Sequence, residues 1–232
     1  MEQRYAELHA HSAFTFLDGT DEPAQMVAEA ARLGLDALAI LDVDGMYSTV
    51  QTTVAARDVG LPIVYGAELT LTTDALRGII PGTQAPGWGL APGADDPGIR
   101  LPVLAQSPGG YANLVGAMSE RALSAPGERN PCHSLVDLSV AGGDLIVLTG
   151  GRRGPLMRAL RAGGTVSARR VLDGLVDTFG RDQVLVEWQA ARGDEGEVGD
   201  TLAELACASG TRLVATTGAR MSTPSKQALG DI

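Results

Sequence analysis

Several residue types that mark particular protein classes are scarce in this sequence. The two cysteines, Cys132 and Cys207, lie far apart and form no CxxC unit, so the sequence predicts neither a disulfide framework nor a zinc ribbon. Lys226 is the only lysine, and aromatic residues make up 4% of the chain. No apolar run approaches the roughly 20 residues that a membrane-spanning helix needs. We therefore expect a protein of the reducing cytoplasm that has no membrane span.

Positive charge is also in short supply. The chain has 18 Lys and Arg against 28 Asp and Glu, for a formal net charge of -10 at pH 7. Binding to duplex DNA depends on neutralising phosphates with basic side chains. Any contact with DNA is therefore expected to be local or to be made by another domain.

Short apolar runs alternate with longer amphipathic segments, which is typical of repeated β-α units with a parallel sheet. The pattern predicts seven strands, at 5–8, 37–41, 63–65, 101–104, 145–148, 184–186 and 213–215. It predicts helices at 24–33, 48–58, 110–123, 155–161, 167–179 and 197–209. The segment at about 72–98 is rich in Pro-Gly pairs and is predicted to be a long irregular insertion. We interpret residues 1–232 as a single domain, because the alternation resumes after the insertion.

Two of the three histidines stand two residues apart, at His9 and His11. Alternate residues of a strand point to the same face, so the two imidazoles converge if this segment is a strand. With the carboxylate of Asp18 a short loop away, the spacing suits zinc or manganese. The alternative is a pair of hydrogen-bonded histidines at a polar strand end. The third histidine, His133, lies in a turn-like segment and is expected at the surface.

Further polar residues follow the predicted strands, where the functional residues of parallel barrels lie. Asp42 and Asp44 end the second strand, and Glu68 follows the third. The turn at 150–154 contains three glycines and two arginines before a helix. It could hold an anion, although glycines at a helix start also serve chain geometry alone.

The run YAELHAHSAFTFLDG at 5–19 resembles the first motif of the PHP (polymerase and histidinol phosphatase) family. Within that family, the run most resembles the amino-terminal PHP domain of bacterial error-prone DNA polymerases of the polymerase III alpha-subunit type. Further matches keep the family order at 42–47, 66–71, 148–154, 179–182 and 213–217. The resemblance implies a distorted seven-stranded (β/α)7 TIM-like barrel. The polymerase palm is absent from these residues, so we expect either a part of a longer polymerase or a free-standing relic.

The same resemblance implies a cluster of nine metal-binding side chains. Four positions match the family, namely His9, His11, Asp18 and Glu68. Five positions depart from it, namely Val43, Arg100, Gly151, Gly218 and Arg220. Because three metals cannot be held by four ligands, we expect either no metal or a single, weakly bound zinc or manganese ion.

We interpret the chain as a degenerate, non-catalytic PHP domain, because phosphoester hydrolysis in this family resembles multi-metal chemistry. The resemblance implies a structural or interaction module in DNA replication or repair. Its expected partners are polymerase catalytic domains or replication and repair proteins, with DNA contacted only indirectly.

Two alternatives remain open from the sequence. One is an active metal-dependent phosphoesterase of the PHP family. The other rests on residues 38–45, an apolar strand followed by DxDG, which resembles the first motif of haloacid-dehalogenase-type phosphatases. There Asp42 would attack phosphorus and Asp44 would act as acid and base, but Lys226 is too close to the end of the sequence to complete that site.

The replaced ligand positions suggest how the remaining carboxylates are neutralised. Arg is permanently charged and its planar fork suits carboxylates. We therefore expect Arg220, and also Arg100, to pair with Glu68 or Asp18 inside the former metal pocket. The alternative is that both arginines point to solvent.

Overall fold

A computed structural model describes residues 4–72, 98–124, 132–140, 143–189 and 196–226. The chain divides into two compact units. The first consists of Met1–Glu68 and Thr216–Ile232, and the second of Leu69–Ala215. The insertion was predicted at about 72–98. Residues 73–97 of it lie outside the described residues.

The first unit is built on two parallel strands, β1 (Ala6–Ala10) and β2 (Ala37–Ile40). Helix α1 (Pro23–Arg32) follows β1, and helix α2 (Thr49–Val59) follows β2. Apolar side chains from both strands, from both helices and from the residue after the cap of α2 form the core: Ala10, Met26, Val27, Ala30, Leu38, Ile40, Ala56 and Leu61. Ala10 pairs with Ile40, so the residues that follow the two strands lie next to each other.

The ends of these helices follow from local sequence. Pro23 is the first residue of α1, where its missing N–H is not needed, and Gln25 Oε1 accepts the backbone N–H of Glu22 at 3.1 Å. Helix α2 ends at Gly60 with φ 70°, a left-handed conformation that glycine adopts without a Cβ clash. The predicted limits of both helices are therefore confirmed to within one residue.

The second unit holds most of a five-stranded sheet with the order β3-β4-β5-β6-β7. The strands are β3 (Gly66–Leu71), β4 (Ile99–Ala105), β5 (Leu145–Leu148), β6 (Val184–Gln189) and β7 (Arg212–Thr216). The helices are α3 (Pro108–Ser124), α4 (Leu135–Val140), α5 (Pro155–Phe179) and α6 (Glu197–Ser209). Short 3-10 segments lie at Arg181–Gln183 and, in the first unit, at Pro224–Lys226. Within the described parts of the chain, no helix is long and apolar enough to span a membrane.

The described residues contain seven strands, the number that was predicted, but these strands form two sheets and are not all parallel. Strand β4 runs antiparallel to β5, with Val103 opposite Val147, so the prediction of parallel strands throughout is wrong. Apolar periodicity carries no information on strand direction, which depends on the connections. The third strand begins at Gly66 rather than at 63–65, where Ile63 makes only an isolated bridge to Leu38.

The helices differ from the prediction in two places. Helix α4 has six residues, too few to show a helical period in the sequence. The segments predicted as two helices at 155–161 and 167–179 belong to α5, which is interrupted by non-helical backbone at Gly163 and Gly164. Gly164 has φ 66°, a conformation that breaks the helical repeat and that glycine permits.

Two buried carboxylates attach the carboxyl-terminal segment of the first unit to its beginning. Glu7 accepts the backbone N–H of His9 on one oxygen, and the Tyr5 hydroxyl and the Thr217 N–H on the other, each at 2.8 Å. Asp21 accepts the Ser222 N–H and the Lys226 ammonium. Charged hydrogen bonds thus hold the residues that follow β7, in addition to the backbone hydrogen bonds that Ala219 and Arg220 accept.

The electrostatics of Asp21 predict how this attachment responds to acid. Burial by itself raises the pKa of Asp21, but the hydrogen bonds from Lys226 and Ser222 outweigh it and leave that pKa below its usual value. A group whose pKa falls on folding stabilises the protein above its unfolded pKa, and this contribution is lost as the pH drops through the folded value.

We expect Asp21→Asn to lower the free energy of unfolding by about 1 to 3 kcal/mol at pH 7, because a buried charged acceptor is lost. The difference from wild type should shrink as the pH falls below about 4, near the pKa of an unfolded aspartate. Urea denaturation across this pH range measures it. Asp173→Asn, in an exposed pair with Arg169, is the matched control and should cost less than about 1 kcal/mol; equal costs for the two variants at pH 7 would contradict the analysis.

Candidate metal centre

The two histidines of the first motif converge as the sequence predicts. His9 lies on β1 and His11 directly follows it, and their side chains are buried with ring centroids 5.2 Å apart. The backbone N–H of His11 donates to Ala219 at 2.8 Å, which fixes the chain just beyond the strand. The strand period and this anchor together aim both imidazoles at one place.

Glu68 completes a cluster with the two histidines. It lies in β3 beside the loop that follows β2: its N–H donates to Asp42 at 3.2 Å and its carbonyl accepts the N–H of Asp44 at 2.9 Å. Its Oε1 is 3.3 Å from Nε2 of His9, and its Oε2 is 3.3 Å from Nε2 of His11. Each carboxylate oxygen therefore faces one imidazole.

Burial and charge act in opposite directions in this cluster. Burial by itself raises the pKa of Glu68, but His11 and His9 outweigh it and lower that pKa well below its usual range. Burial by itself lowers the pKa of His11, yet the facing carboxylates of Asp18 and Glu68 raise it above its usual value. The site is thus built around an ionised Glu68 that attracts positive charge.

These three residues fit one divalent metal ion. One ligand atom from each of His9, His11 and Glu68 lies within 4.8 Å of the others. Both ring nitrogens of His11 and Oε2 of Glu68 are buried, and their contacts with the facing groups, at 3.2 and 3.3 Å, lack the geometry of a hydrogen bond. Two histidines and one carboxylate are a donor set found in zinc sites that keep an open position. A metal ion would satisfy polar atoms that are otherwise costly to bury.

Asp18 lies behind His11 rather than among the three clustered ligands. Its Oδ2 is 3.2 Å from Nδ1 of His11, and its Oδ1 is 3.0 Å from Nη1 of Arg220. The expected pairing of Arg220 with Asp18 is confirmed. Arg220 is 47% exposed, so the pair is half-buried rather than enclosed. Direct ligation of a metal by Asp18 stays a prediction.

Asp42 is held by the loop that follows β1. Its Oδ1 accepts hydrogen bonds from the Ser12 N–H at 3.0 Å, the Ser12 hydroxyl at 2.8 Å and the Thr15 hydroxyl at 2.9 Å. Asp42 is 1% exposed, so it is poorly placed to attack a phosphate from solvent. Asp44, with φ 51°, is used in the backbone pairing with Glu68. This environment favours a structural role for the DxD segment over the dehalogenase-type nucleophile.

The replaced ligand positions have individual structural roles. In the first unit, the N–H of Val43 donates to the Thr15 hydroxyl at 3.2 Å, and Gly218 adopts φ 60°. In the second unit, the N–H of Arg100 donates to Arg153 at 3.0 Å. The pairing of the Arg100 side chain with Glu68 or Asp18 stays a prediction.

Gly151 leaves room for the side chain of Gln189. A Cβ added at Gly151 would lie 1.8 Å from Oε1 of Gln189, and the amide nitrogen of Gln189 donates to buried Glu187 at 3.0 Å. The Gln189 side chain thus fills the space beside Gly151, where the family resemblance implies a metal-binding side chain.

His133 is a correction to the sequence analysis. It was expected at the surface, but it is 2% exposed. Its N–H donates to Thr70 at 2.7 Å and its carbonyl accepts the N–H of Thr72 at 2.9 Å, so it extends the sheet beside β3. A turn-like sequence that pairs with a distant strand cannot be distinguished locally from a surface loop.

Glu7 is the polar residue that sequence reasoning missed. It is 3% exposed and hydrogen-bonded by Tyr5, His9 and Thr217. The available signal was its spacing, because Glu7 stands two residues before His9 on the same face of β1.

The chain has clear relatives among known proteins. Residues 7–191 match the family model of the PHP domain. Error-prone DNA polymerase from Mycolicibacterium paratuberculosis is 42% identical over 227 residues, which cover 97% of this chain and 20% of that protein. Error-prone DNA polymerase from Cutibacterium acnes is 40% identical over 218 residues, which cover 93% of this chain and 18% of that protein. The chain therefore spans about a fifth of the length of these curated relatives.

Solved structures share the fold at low sequence identity. A protein from Bifidobacterium adolescentis, named as a metal-dependent phosphoesterase, gives a TM-score of 0.59 at 16% identity and covers 95% of this chain and 90% of its own. An amidohydrolase from Chromobacterium violaceum gives a TM-score of 0.55 at 13% identity, with 93% and 87% covered. At these identities the likeness concerns the fold alone.

We expect Glu68→Gln in the metal-free protein to lower the free energy of unfolding by roughly 3 to 5 kcal/mol at pH 6, as for a broken buried ion pair. The loss should diminish as the pH rises, because a histidine whose pKa is raised on folding stabilises below its unfolded pKa and ceases to do so above its folded pKa. Denaturation with EDTA present measures the effect. The exposed Glu204→Gln is the control, and a loss that grows with pH would refute the charge assignment.

We expect Gly151→Ala to push the end of the Gln189 side chain aside and to cost no more than about 1.5 kcal/mol of stability, chiefly through the hydrogen bond from Gln189 to Glu187. Adding Gln189→Ala should recover part of this cost, because the obstructing side chain is then removed. Gly116→Ala in α3, where an added Cβ meets nothing within 4 Å, should instead stabilise by roughly 0.5 to 1 kcal/mol. Strict additivity of the two substitutions at 151 and 189 would show that the side chains do not compete.

Proposed function

Because this chain belongs to the PHP domain family, we propose that it is the PHP module of an error-prone DNA polymerase and holds a single divalent metal ion. In this proposal it is a non-catalytic, cytoplasmic module that acts through contacts with polymerase catalytic domains or with replication and repair proteins. The error-prone polymerases that it resembles at 40% to 42% identity support this assignment.

The observation that carries the proposal is the composition of the metal cluster. His9, His11 and Glu68 bring ligand atoms within 4.8 Å of one another, which suits one ion. Arg220 and Val43 stand at family ligand positions in the same unit, and neither side chain is a metal ligand there. A cation beside Asp18 at 3.0 Å further reduces the negative charge available to a second ion.

A site with a single metal ion is better suited to stabilising the fold than to hydrolysing a phosphoester. A bound metal supplies Lewis acidity and lowers the pKa of a coordinated water, whereas two-metal sites also clamp the attacking and leaving oxygens. Here His9 and His11 would hold the ion and Glu68 would neutralise part of its charge. Asp42 is engaged by Ser12 and Thr15, which leaves it a role in shaping the loop that carries Asp18.

The acidic balance of the chain favours protein over DNA as its direct partner. A net charge of -10 repels the phosphate backbone. We propose in addition that the chain forms one domain with the distorted seven-stranded barrel of its family. The likeness to the Bifidobacterium adolescentis structure, which extends over 95% of this chain, supports that architecture.

An active phosphoesterase is the second candidate, because the histidine pair and Glu68 remain and a structural neighbour is named as a metal-dependent phosphoesterase. The two candidates differ in the number of metal ions and in turnover. They are therefore separated by measuring both on the same preparation.

We expect elemental analysis after reconstitution with zinc or manganese to give about one ion per chain for the wild type and close to none for His9→Ala. Glu204→Gln should bind as the wild type does. Metal at 100 times its Kd should also raise the stability by about 2.7 kcal/mol. Phosphatase and exonuclease assays should show no turnover that depends on His9. Two or more ions per chain, with turnover abolished by His9→Ala, would establish the phosphoesterase instead.

A further inference from the structure

His11 has a carboxylate facing each of its two ring nitrogens. Oδ2 of Asp18 is 3.2 Å from Nδ1, and Oε2 of Glu68 is 3.3 Å from Nε2. The ring is buried, with a side-chain exposure of 6%, so neither nitrogen can rely on water in place of these partners. Which nitrogen carries the proton therefore depends on which carboxylate is the better fixed acceptor.

Asp18 is held in place from its other side. Arg220 Nη1 lies 3.0 Å from Oδ1 of Asp18, so the two oxygens of this carboxylate divide between an arginine and His11. The backbone of Arg220 is itself fixed, because its carbonyl accepts the N–H of Thr20 at 2.9 Å. The neighbouring carbonyl of Ala219 accepts the N–H of His11. Arg220, Asp18 and His11 thus form one connected group in which each side chain is held by its neighbour.

Glu68 differs from Asp18 in its surroundings. Its two oxygens face two imidazole Nε2 atoms, one from His9 and one from His11. If the proton of the His11 ring is on Nδ1, facing Asp18, then Nε2 carries no proton. Its lone pair then points towards Glu68 and His9. In metal sites generally, the ligating histidine donates its other N–H to a carboxylate, which fixes the tautomer and strengthens the ligand.

We propose that Arg220 and Asp18 form a positioning pair that holds His11 with its proton on Nδ1, so that Nε2 is available to one metal ion shared with His9 and Glu68. Asp18 is in this arrangement a positioning residue rather than a ligand. Arg220 is a permanent cation at a position where the family resemblance implies a histidine ligand, so it favours a one-ion site. The inference rests on the single-metal function proposed above.

The first experiment measures zinc affinity on the full chain by competition with a chromogenic chelator. Removing partners that orient a ligating histidine typically weakens metal affinity 10- to 100-fold. We expect a loss of about that size for both Arg220→Met and Asp18→Asn, with the stoichiometry unchanged at one. Arg220→Lys keeps the charge and should retain affinity within a few-fold. Arg169→Met, which removes an exposed ion pair, is the matched control and should leave the affinity unchanged.

The second experiment reads the tautomer of His11 directly and needs no metal. Long-range nitrogen–proton NMR spectra of the metal-free protein, recorded above the titration of the ring, should show the proton on Nδ1 in the wild type. The spectra of Arg220→Met or Asp18→Asn should show a mixture or the Nε2 tautomer. Asp18→Asn supplies the same readout if Arg220→Met does not fold. Wild-type affinity and an unchanged tautomer in either folded variant would overturn the proposal.

The two experiments separate this inference from the proposed function. A wild-type chain that binds no zinc would refute the single-metal function, while the tautomer would still test the positioning pair. A chain that binds one zinc ion with an affinity indifferent to Asp18 and Arg220 would retain the function and refute the pair.

Discussion

A buried, ionised carboxylate must be surrounded by compensating charge or hydrogen-bond donors, and Glu68 is such a group at the centre of the candidate metal site. Its backbone pairs with Asp42 and Asp44, while its side chain lies between His9 and His11. The end of β1, the loop after β2 and the beginning of β3 are consequently tied to one charge. The same arrangement that neutralises Glu68 also brings together three residues that could hold a metal ion.

Charge compensation extends from this point to the carboxyl-terminal part of the first unit. The loop after β1 carries Asp18 and Asp21, and both are neutralised by cations from the segment that follows β7, Arg220 and Lys226. The chain has a net charge of -10 and fewer basic than acidic side chains. Two of its cations lie beside the buried side chains of Asp18 and Asp21. The polar attachments are therefore specific, since removing either partner would leave the other charge poorly solvated.

The positions that match the metal-binding pattern of the family, His9, His11, Asp18 and Glu68, all lie in the first compact unit. A site for one ion needs only β1, the residues around Glu68 and the braced ring of His11. At Gly151, in the second unit, the space beside the backbone is filled by Gln189. The chain thus combines a candidate site for one cation in the first unit with polar packing around Gly151 in the second.

The period of a strand was sufficient to predict the convergence of His9 and His11, whereas the pairing of Arg220 with an acid was predicted from charge together with the family resemblance. The period of a strand is visible in a few consecutive residues, and the sign of a charge is visible in the residue type. Both can therefore be recognised in a sequence. The antiparallel direction of β4, the burial of His133 and the position of Gln189 beside Gly151 were decided only by tertiary structure. Each of these features depends on which distant segments of the chain come into contact. Neither the hydrophobic period nor the composition specifies those contacts.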